Sequence, residues 1–333
     1  MYFRYQQNQS NTKTMLNKRF LFFSLIALSL AFTTSCLKKK TEKQELDEDT
    51  KQFNEDANEV KGEIDNVDND INSALNDTRI GRVSATYSSP LCGVTLDTSQ
   101  VSNNIVTFNF DGTTPCFSPS RTRSGQIKVT LIAGNNWADQ GAKLRIDYIN
   151  FKITRLSNQH SLTLNGTKIW ENVNGNNWLG FLAGTSTLKY RERALNINVT
   201  FHTGSQATWN LARITEWNFI QANAVSGIPY AHVKFTSNAD TTINGLPNVD
   251  SWGNNQSGNA FTTQFLSPWV SNSYCGFWRP VNGYVVHTVN GANYTLLLGV
   301  DENGNASTLP CAYGYKVSWT PQGGTTQSVV NSY

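Results

Sequence analysis

Five cysteines carry the most definite chemistry in this chain. Cys36 stands apart from the other four. It closes residues 15–36, MLNKRFLFFSLIALSLAFTTSC, in which Lys18 and Arg19 form a basic segment and residues 20–32 an apolar run broken by Ser24 and Ser29. Thr33-Thr34-Ser35 follows as a small-residue stretch. That is the anatomy of a secretory signal whose terminal thiol accepts lipid. The run is shorter than the roughly 20 apolar residues that a transmembrane helix needs. A plain secretory signal and a chance loop cysteine are the competing readings. The expectation is cleavage before Cys36, acyl chains (palmitate among them) on Cys36, and attachment to a membrane through that anchor. Residues 1–14 precede the basic segment and read as an upstream start. Residues 36–41 read as a tether.

Cys92, Cys116, Cys275 and Cys311 remain in the exported part. An even count in an oxidising compartment suggests disulfides. Three connectivities are open. Cys92–Cys116 with Cys275–Cys311 is favoured, because each pair brackets a hairpin-like stretch; reduced, buried cysteines are the alternative. No Cys-x-x-Cys spacing occurs, and His160, His202, His232 and His287 read as isolated. No metal and no cofactor are therefore expected. Asp301-Glu302-Asn303-Gly304-Asn305 opens like a calcium loop, but its Gly comes two positions early and no Glu closes it, so it reads as a hairpin turn.

A glycosidase needs two placed carboxylates. Glu171, Glu192, Glu216, Asp240, Asp250, Asp301 and Glu302 are present in no recognisable pattern, and neither Gly-x-Ser-x-Gly nor His-Glu-x-x-His occurs. The chain is not expected to be an enzyme; a glycan-active hydrolase with an unrecognised site is the alternative. Aromatic residues are the remaining lead. Trp170, Trp178, Trp209, Trp217, Trp252, Trp269 and Trp278 crowd the middle and later chain. Trp178 (NGNNWLGF) and Trp252 (VDSWGNN) lie in stretches that read as Gly/Asn-rich loops. Exposed rings beside amide side chains suit sugar faces, so these two are the candidate ligand-binding residues. The competing reading is that the tryptophans fill a β core.

Two kinds of element must position these groups. Residues 42–77 hold thirteen of the 24 carboxylates and three lysines. Leu46, Thr50, Phe53, Ala57, Val60, Ile64, Val67, Ile71 and Ala74 recur there in alternating steps of four and three. This predicts one long amphipathic helix with a heptad seam, about 50 Å long at 1.5 Å per residue. An acidic stalk over residues 42–78 that oligomerises through the seam, a helix laid on the body, and a disordered linker are the three readings.

Residues 79–333 alternate with period two, as half-buried strands do. Examples are Ile127, Val129 and Leu131, then Leu144, Ile146 and Tyr148. A phase slip to Phe151 and Ile153 suggests a bulge. Gly134-Asn135, Asn165-Gly166, Asn290-Gly291 and Asn303-Gly304 read as turns. The fold class is all-β: antiparallel strands, sandwich-like or an elongated meander, preceded by the helix. A subdivision is expected near residues 245–258, which read as a loop.

The body carries seventeen Lys and Arg against eleven acids, while the helix is acidic. A polyanion partner is one reading of this layout and scattered solubilising charge the other; no nucleic acid partner is expected. CFSPSRTRSGQIKVTLIAG, ADQGAKLRIDYINFKITRLSNQHSLTLNGTKIW and CGFWRPVNGYVVHTVNGANYTLLLGVDENGNASTLPCAYG together resemble a group of uncharacterised Bacteroidota-type secreted lipoproteins. The resemblance implies secretion, an all-β body and a late disulfide, and no catalytic residue. Leu37, where inner-membrane lipoproteins tend to carry Asp, implies the outer membrane; Lys38, Lys39 and Lys40 leave its periplasmic and surface faces both open. The expected role is non-enzymatic binding, of glycan, or structure in the cell envelope.

Overall fold

The period-two segments become strands, and every strand pairing is antiparallel. The structure is a computed structural model that describes residues 42–77, 91–116, 121–177, 180–181, 183–184, 187–220, 230–237, 242–243, 245–277, 279–320 and 324–333. Cys36, Trp178 and Trp278 lie outside the described residues. Helix α1 spans Glu42–Asp77. The first strands are β1 (Val94–Asp97), β2 (Ile105–Asp111), β3 (Arg121–Ala133), β4 (Ala142–Arg155), β5 (Ser161–Asn172) and β6 (Leu188–Phe201). Next come β7 (Gln206–Ile220), β8 (Tyr230–Ser237), β9 (Thr242–Ile243), β10 (Leu246–Pro247) and β11 (Val249–Asn254). The last are β12 (Ala260–Asn272), β13 (Asn282–Val289), β14 (Ala292–Val300), β15 (Gly314–Trp319) and β16 (Gln327–Ser332).

Fourteen of these strands form one sheet, in an order that follows the chain from β1 to β7 and from β11 to β16. The centre is a slot filled by two short strands. One end of β7 pairs with β11 and the other with β8, and β12 repeats the arrangement from the far side. Residues 245–258, expected as a loop, therefore include a central strand. Their Gly and Asn content misled because Gly253 serves close backbone approach: a Cβ there would sit 1.8 Å from the Thr208 carbonyl oxygen.

The phase slip in β4 is a bulge, with Asn150 at φ 47° opposite Gly125 at φ 88°. Asn165-Gly166, expected as a turn, lies inside β5 at a further register shift. Its asparagine has a different use: Asn165 Oδ1 accepts the Asn150 backbone N–H at 2.8 Å. Asn210 Oδ1 does the same for Asn196 of β6, also at 2.8 Å. Bulges bend strands and raise their twist, and this line of them crosses the sheet from β3 to β7. Asn290-Gly291 does join β13 to β14, and the Asp301–Asn305 segment is a turn whose Asp301 carboxylate accepts the Asn303 and Asn305 N–H groups.

From Leu46 onward the chain is one compact unit, with α1 on one face of the sheet. Phe53, Val60, Ile64, Val67, Ile71 and Ala74 are all buried in the core that β2 to β7 supply. Burying each Val, Ile or Phe is worth about 1.5–3 kcal/mol, and packing of this kind is the main source of helix stability in proteins. The seam residues from Phe53 to Ala74 are thus covered by the sheet of the same chain. They are not free to form a coiled-coil seam, and the arrangement is that of the second reading, a helix laid on the body.

Nor do the acids from Glu59 to Asp70 form a solvated face. Glu63 pairs with Arg121 at 2.8 Å, Glu59 with Arg155 at 3.4 Å and Asp65 with Arg213 at 3.4 Å. Asp70 pairs with Arg123 and Asp68 with Lys168. Over this stretch the helix carboxylates and the cations of the body offset each other, because carboxylates taken out of water need partners.

Candidate functional site

Period two also decides which side chains meet α1. Lys168 and Trp170 on β5, Tyr190 and Glu192 on β6, Arg213, Thr215 and Trp217 on β7, and Val233 and Phe235 on β8 occupy alternate positions, so each strand presents its set on one face. Between this face and α1 lies a partly open cavity of about 670 Å³. Its aromatic wall comprises Trp170, Tyr190, Trp217, Phe235, Trp269 and Tyr315. Across from them α1 contributes Lys61, Gly62, Asp65 and Asp68. The size suits a small molecule, and so does the mixture of apolar wall with few polar groups.

The polar part falls into two neighbouring groups, Asp68–Lys168–Glu192–Thr215 and Lys61–Asp65–Arg213–Asp250. Lys168 is fully buried. Its ammonium donates to Asp68 and lies 3.4 Å from Glu192 Oε2. Thr215 Oγ1 donates to Glu192 Oε1 at 3.1 Å. Burial works to lower the Lys168 ammonium, but Asp68, Tyr148 and Glu192 outweigh it and its pKa is raised. Burial pushes the Asp68 carboxyl well above the usual carboxylate range, against the pull of Lys168. Arg213 holds Asp250 through two bonds, at 2.7 and 2.8 Å, and touches Asp65 from behind. Lys61 sits over the Phe235 and Trp269 rings, 4.2 and 4.8 Å from their centroids. Trp170 is almost wholly buried, and its indole N–H has no hydrogen-bond partner in the structure.

Cys275 is bonded to Cys311, and Cys92 to Cys116, the two pairs favoured from spacing. The first of these fixes the segment that carries Phe277 to the cavity rim, where the ring meets Trp217 edge-on at 5.3 Å. Arg279 Nη2 donates to the Ala312 carbonyl at 2.8 Å and ties the same two segments together.

Trp252 is placed differently from its expected position. It is a half-buried residue of β11, not a loop ring, and it is not among the cavity-lining residues. Its carbonyl accepts from Asn210 Nδ2, so the asparagine beside it serves the strands. Trp170, Trp217 and Trp269 line the site instead. The legible signal was a charge in the inward phase of a strand: Glu192 follows Leu188 and Tyr190 in steps of two. His160 and His202, read as isolated, stack with ring centroids 3.7 Å apart. His287 is buried against Phe53, and burial lowers its pKa to about 4. Among the described residues, no three His, Cys, Asp or Glu side chains converge to hold a metal ion.

Compared with known proteins, the chain matches no family model, no curated protein and no solved structure.

Proposed function

We propose that this protein is an exported envelope lipoprotein, anchored through Cys36, that binds a small saccharide in the cavity between α1 and the sheet. In this reading the body is an elongated antiparallel meander built on a long amphipathic helix, and the Bacteroidota-type lipoprotein resemblance describes its address. The observation that carries the binding role is the cavity itself. Its aromatic wall offers ring faces for a sugar, and Asp65 and Glu192 supply acceptors. Titration calorimetry of the mature chain against a panel of oligosaccharides tests this. Binding should vanish in Gly62→Leu, which fills the cavity from the helix side. A panel that shows no heat, or binding untouched by that variant, rejects the site. Cys36→Ala should leave the protein unacylated and released from lipid; continued partitioning into outer-membrane lipid rejects the anchor.

A hydrolase is the second reading, because Asp68 and Glu192 both line the cavity. Both are held by one buried lysine, which supports binding over turnover, since an acid catalyst must deliver its proton to substrate. Release of reducing ends by the wild type, lost in Glu192→Gln, would favour the hydrolase.

A further inference from the structure

The inward apolar side chains fall into two separate clusters. The larger lies under α1 and takes in its seam from Phe53 to Ala74. The smaller consists of Phe265, Val285, Leu296 and Leu298, with Phe235, Trp269, Tyr315 and Val317 packed against it, and no residue of α1 belongs to it. Leu296, Leu298 and Tyr315 line the cavity, so part of its wall is the smaller cluster. Val233, Phe277 and Pro280 also line it. Val233, Phe277, Pro280, Leu296 and Leu298 carry no hydrogen-bonding side-chain atom, and the Tyr333 hydroxyl, also in the lining, accepts the Gly299 N–H at 3.2 Å. The charged lining groups, by contrast, are matched within the chain: Lys61 pairs with Asp65, and Lys168 with Asp68 and Glu192. The lining is thus of two kinds, a polar set from α1, β5 and β6 and an aliphatic set from β8, β14 and Pro280.

A bare saccharide filling about 670 Å³ would bury hydroxyls against the aliphatic set with nothing to receive them, which is costly. On this two-part lining, and on the basis of the saccharide-binding reading above, we infer that the cavity takes a sugar joined to an aliphatic chain, an alkyl or acyl glycoside, in preference to the free sugar. Asp65 and Glu192 accept the sugar hydroxyls, since an ionised carboxylate has lone pairs beyond those its cation uses. The chain lies along Val233, Pro280, Leu296 and Leu298 and gains in proportion to the apolar area it buries. It is aliphatic, because the Lys61 ammonium already covers the Phe235 and Trp269 rings and leaves those faces closed to a stacked aromatic group. It is uncharged, because a charge there would meet no partner in a lining whose own charges are matched.

The test titrates the mature chain, expressed without acyl groups, with methyl, butyl and hexyl β-glucoside and with hexanol, each below its micelle concentration. Affinity should rise about two- to fourfold with each added methylene, and hexyl glucoside should bind at least about tenfold more tightly than hexanol. Val233→Phe, which fills the aliphatic end, should cancel the gain from chain length while methyl glucoside still binds; its fold is checked by its circular dichroism melt. Phe277→Ser changes an exposed residue at the rim and should weaken hexyl glucoside more than methyl glucoside, whether or not Val233→Phe folds. Equal affinity from methyl to hexyl, abolished by Gly62→Leu, overturns the chain and leaves the saccharide site standing. A gain from chain length that Phe277→Ser and a folded Val233→Phe leave intact also overturns it. Hexanol binding as tightly as hexyl glucoside overturns the saccharide reading. Binding of none of the four, or binding that Gly62→Leu does not change, overturns the site itself.

Discussion

Lys168 on β5 and Asp68 on α1, 100 residues apart in the chain, meet as an ion pair in which the lysine is wholly buried. The pair is the polar centre of the contact between helix and sheet, and Glu192 completes it from β6. Removing one partner of a buried pair leaves the others charged and dry, at a cost of about 3–5 kcal/mol. Lys168→Met should lower unfolding free energy by that amount in urea titration. Lys168→Met combined with Asp68→Leu and Glu192→Gln should recover most of it, because the triple variant buries no unmatched charge.

His287 makes stability fall with acid. Its folded pKa is about 4 against an ordinary histidine value of 6.5, for burial keeps the ring neutral beside Phe53, with Nδ1 2.9 Å from Thr263 Oγ1. The unfolded chain takes up the proton first. Stability is therefore lost as pH falls from 6.5 toward 4, by up to about 3 kcal/mol from this group. The raised carboxyls of Glu63, Asp68 and Asp70 act in the opposite sense, since the folded state holds their protons more firmly. The difference between wild type and His287→Gln isolates the histidine. Plotted from pH 7 to pH 4, it should slope in the interval below 6.5 and be flat above it.

Two glycines should respond oppositely to alanine. Gly62 is inside α1, and a Cβ there meets nothing within 4 Å. Gly62→Ala should raise stability by about 1 kcal/mol through helix propensity alone. At Gly125, with φ 88°, a Cβ would stand 2.1 Å from the Asn150 carbonyl oxygen. Gly125→Ala should cost more than about 2 kcal/mol, from the positive φ and the displaced bulge together. Thermal unfolding of both variants checks the pair.

The Cys275–Cys311 bond closes a sequence separation of 36 residues and fixes the Phe277 segment at the cavity rim. Replacing both cysteines with serine should lower stability by about 2–4 kcal/mol. It should also speed ligand release, because the rim aromatic loses its anchor. The same change at Cys92 and Cys116 should lower stability without altering release, which stopped-flow measurement distinguishes.

Short-range order in this chain was legible in the residues themselves. The heptad spacing from Phe53 to Ala74 marks a helix, alternation through Ile127, Val129 and Leu131 marks a strand, and the slip at Phe151 marks a bulge, because each depends on neighbours a few positions away. The two disulfides were legible for the same reason, each spanning a short stretch of chain. Asn165-Gly166 and the Trp252-Gly253 pair were misleading, since glycine serves a turn and a close strand approach equally well, and only the neighbouring strand tells them apart. The site was less legible still. Glu192, Lys168 and Arg213 are inward charges whose partners arrive from α1 or from other strands. Which of them pair, and which tryptophans share a cavity, was decided only by the register of the sheet and the rotation of α1 on it. Those are long-range quantities, set by packing, that no local pattern of residues encodes.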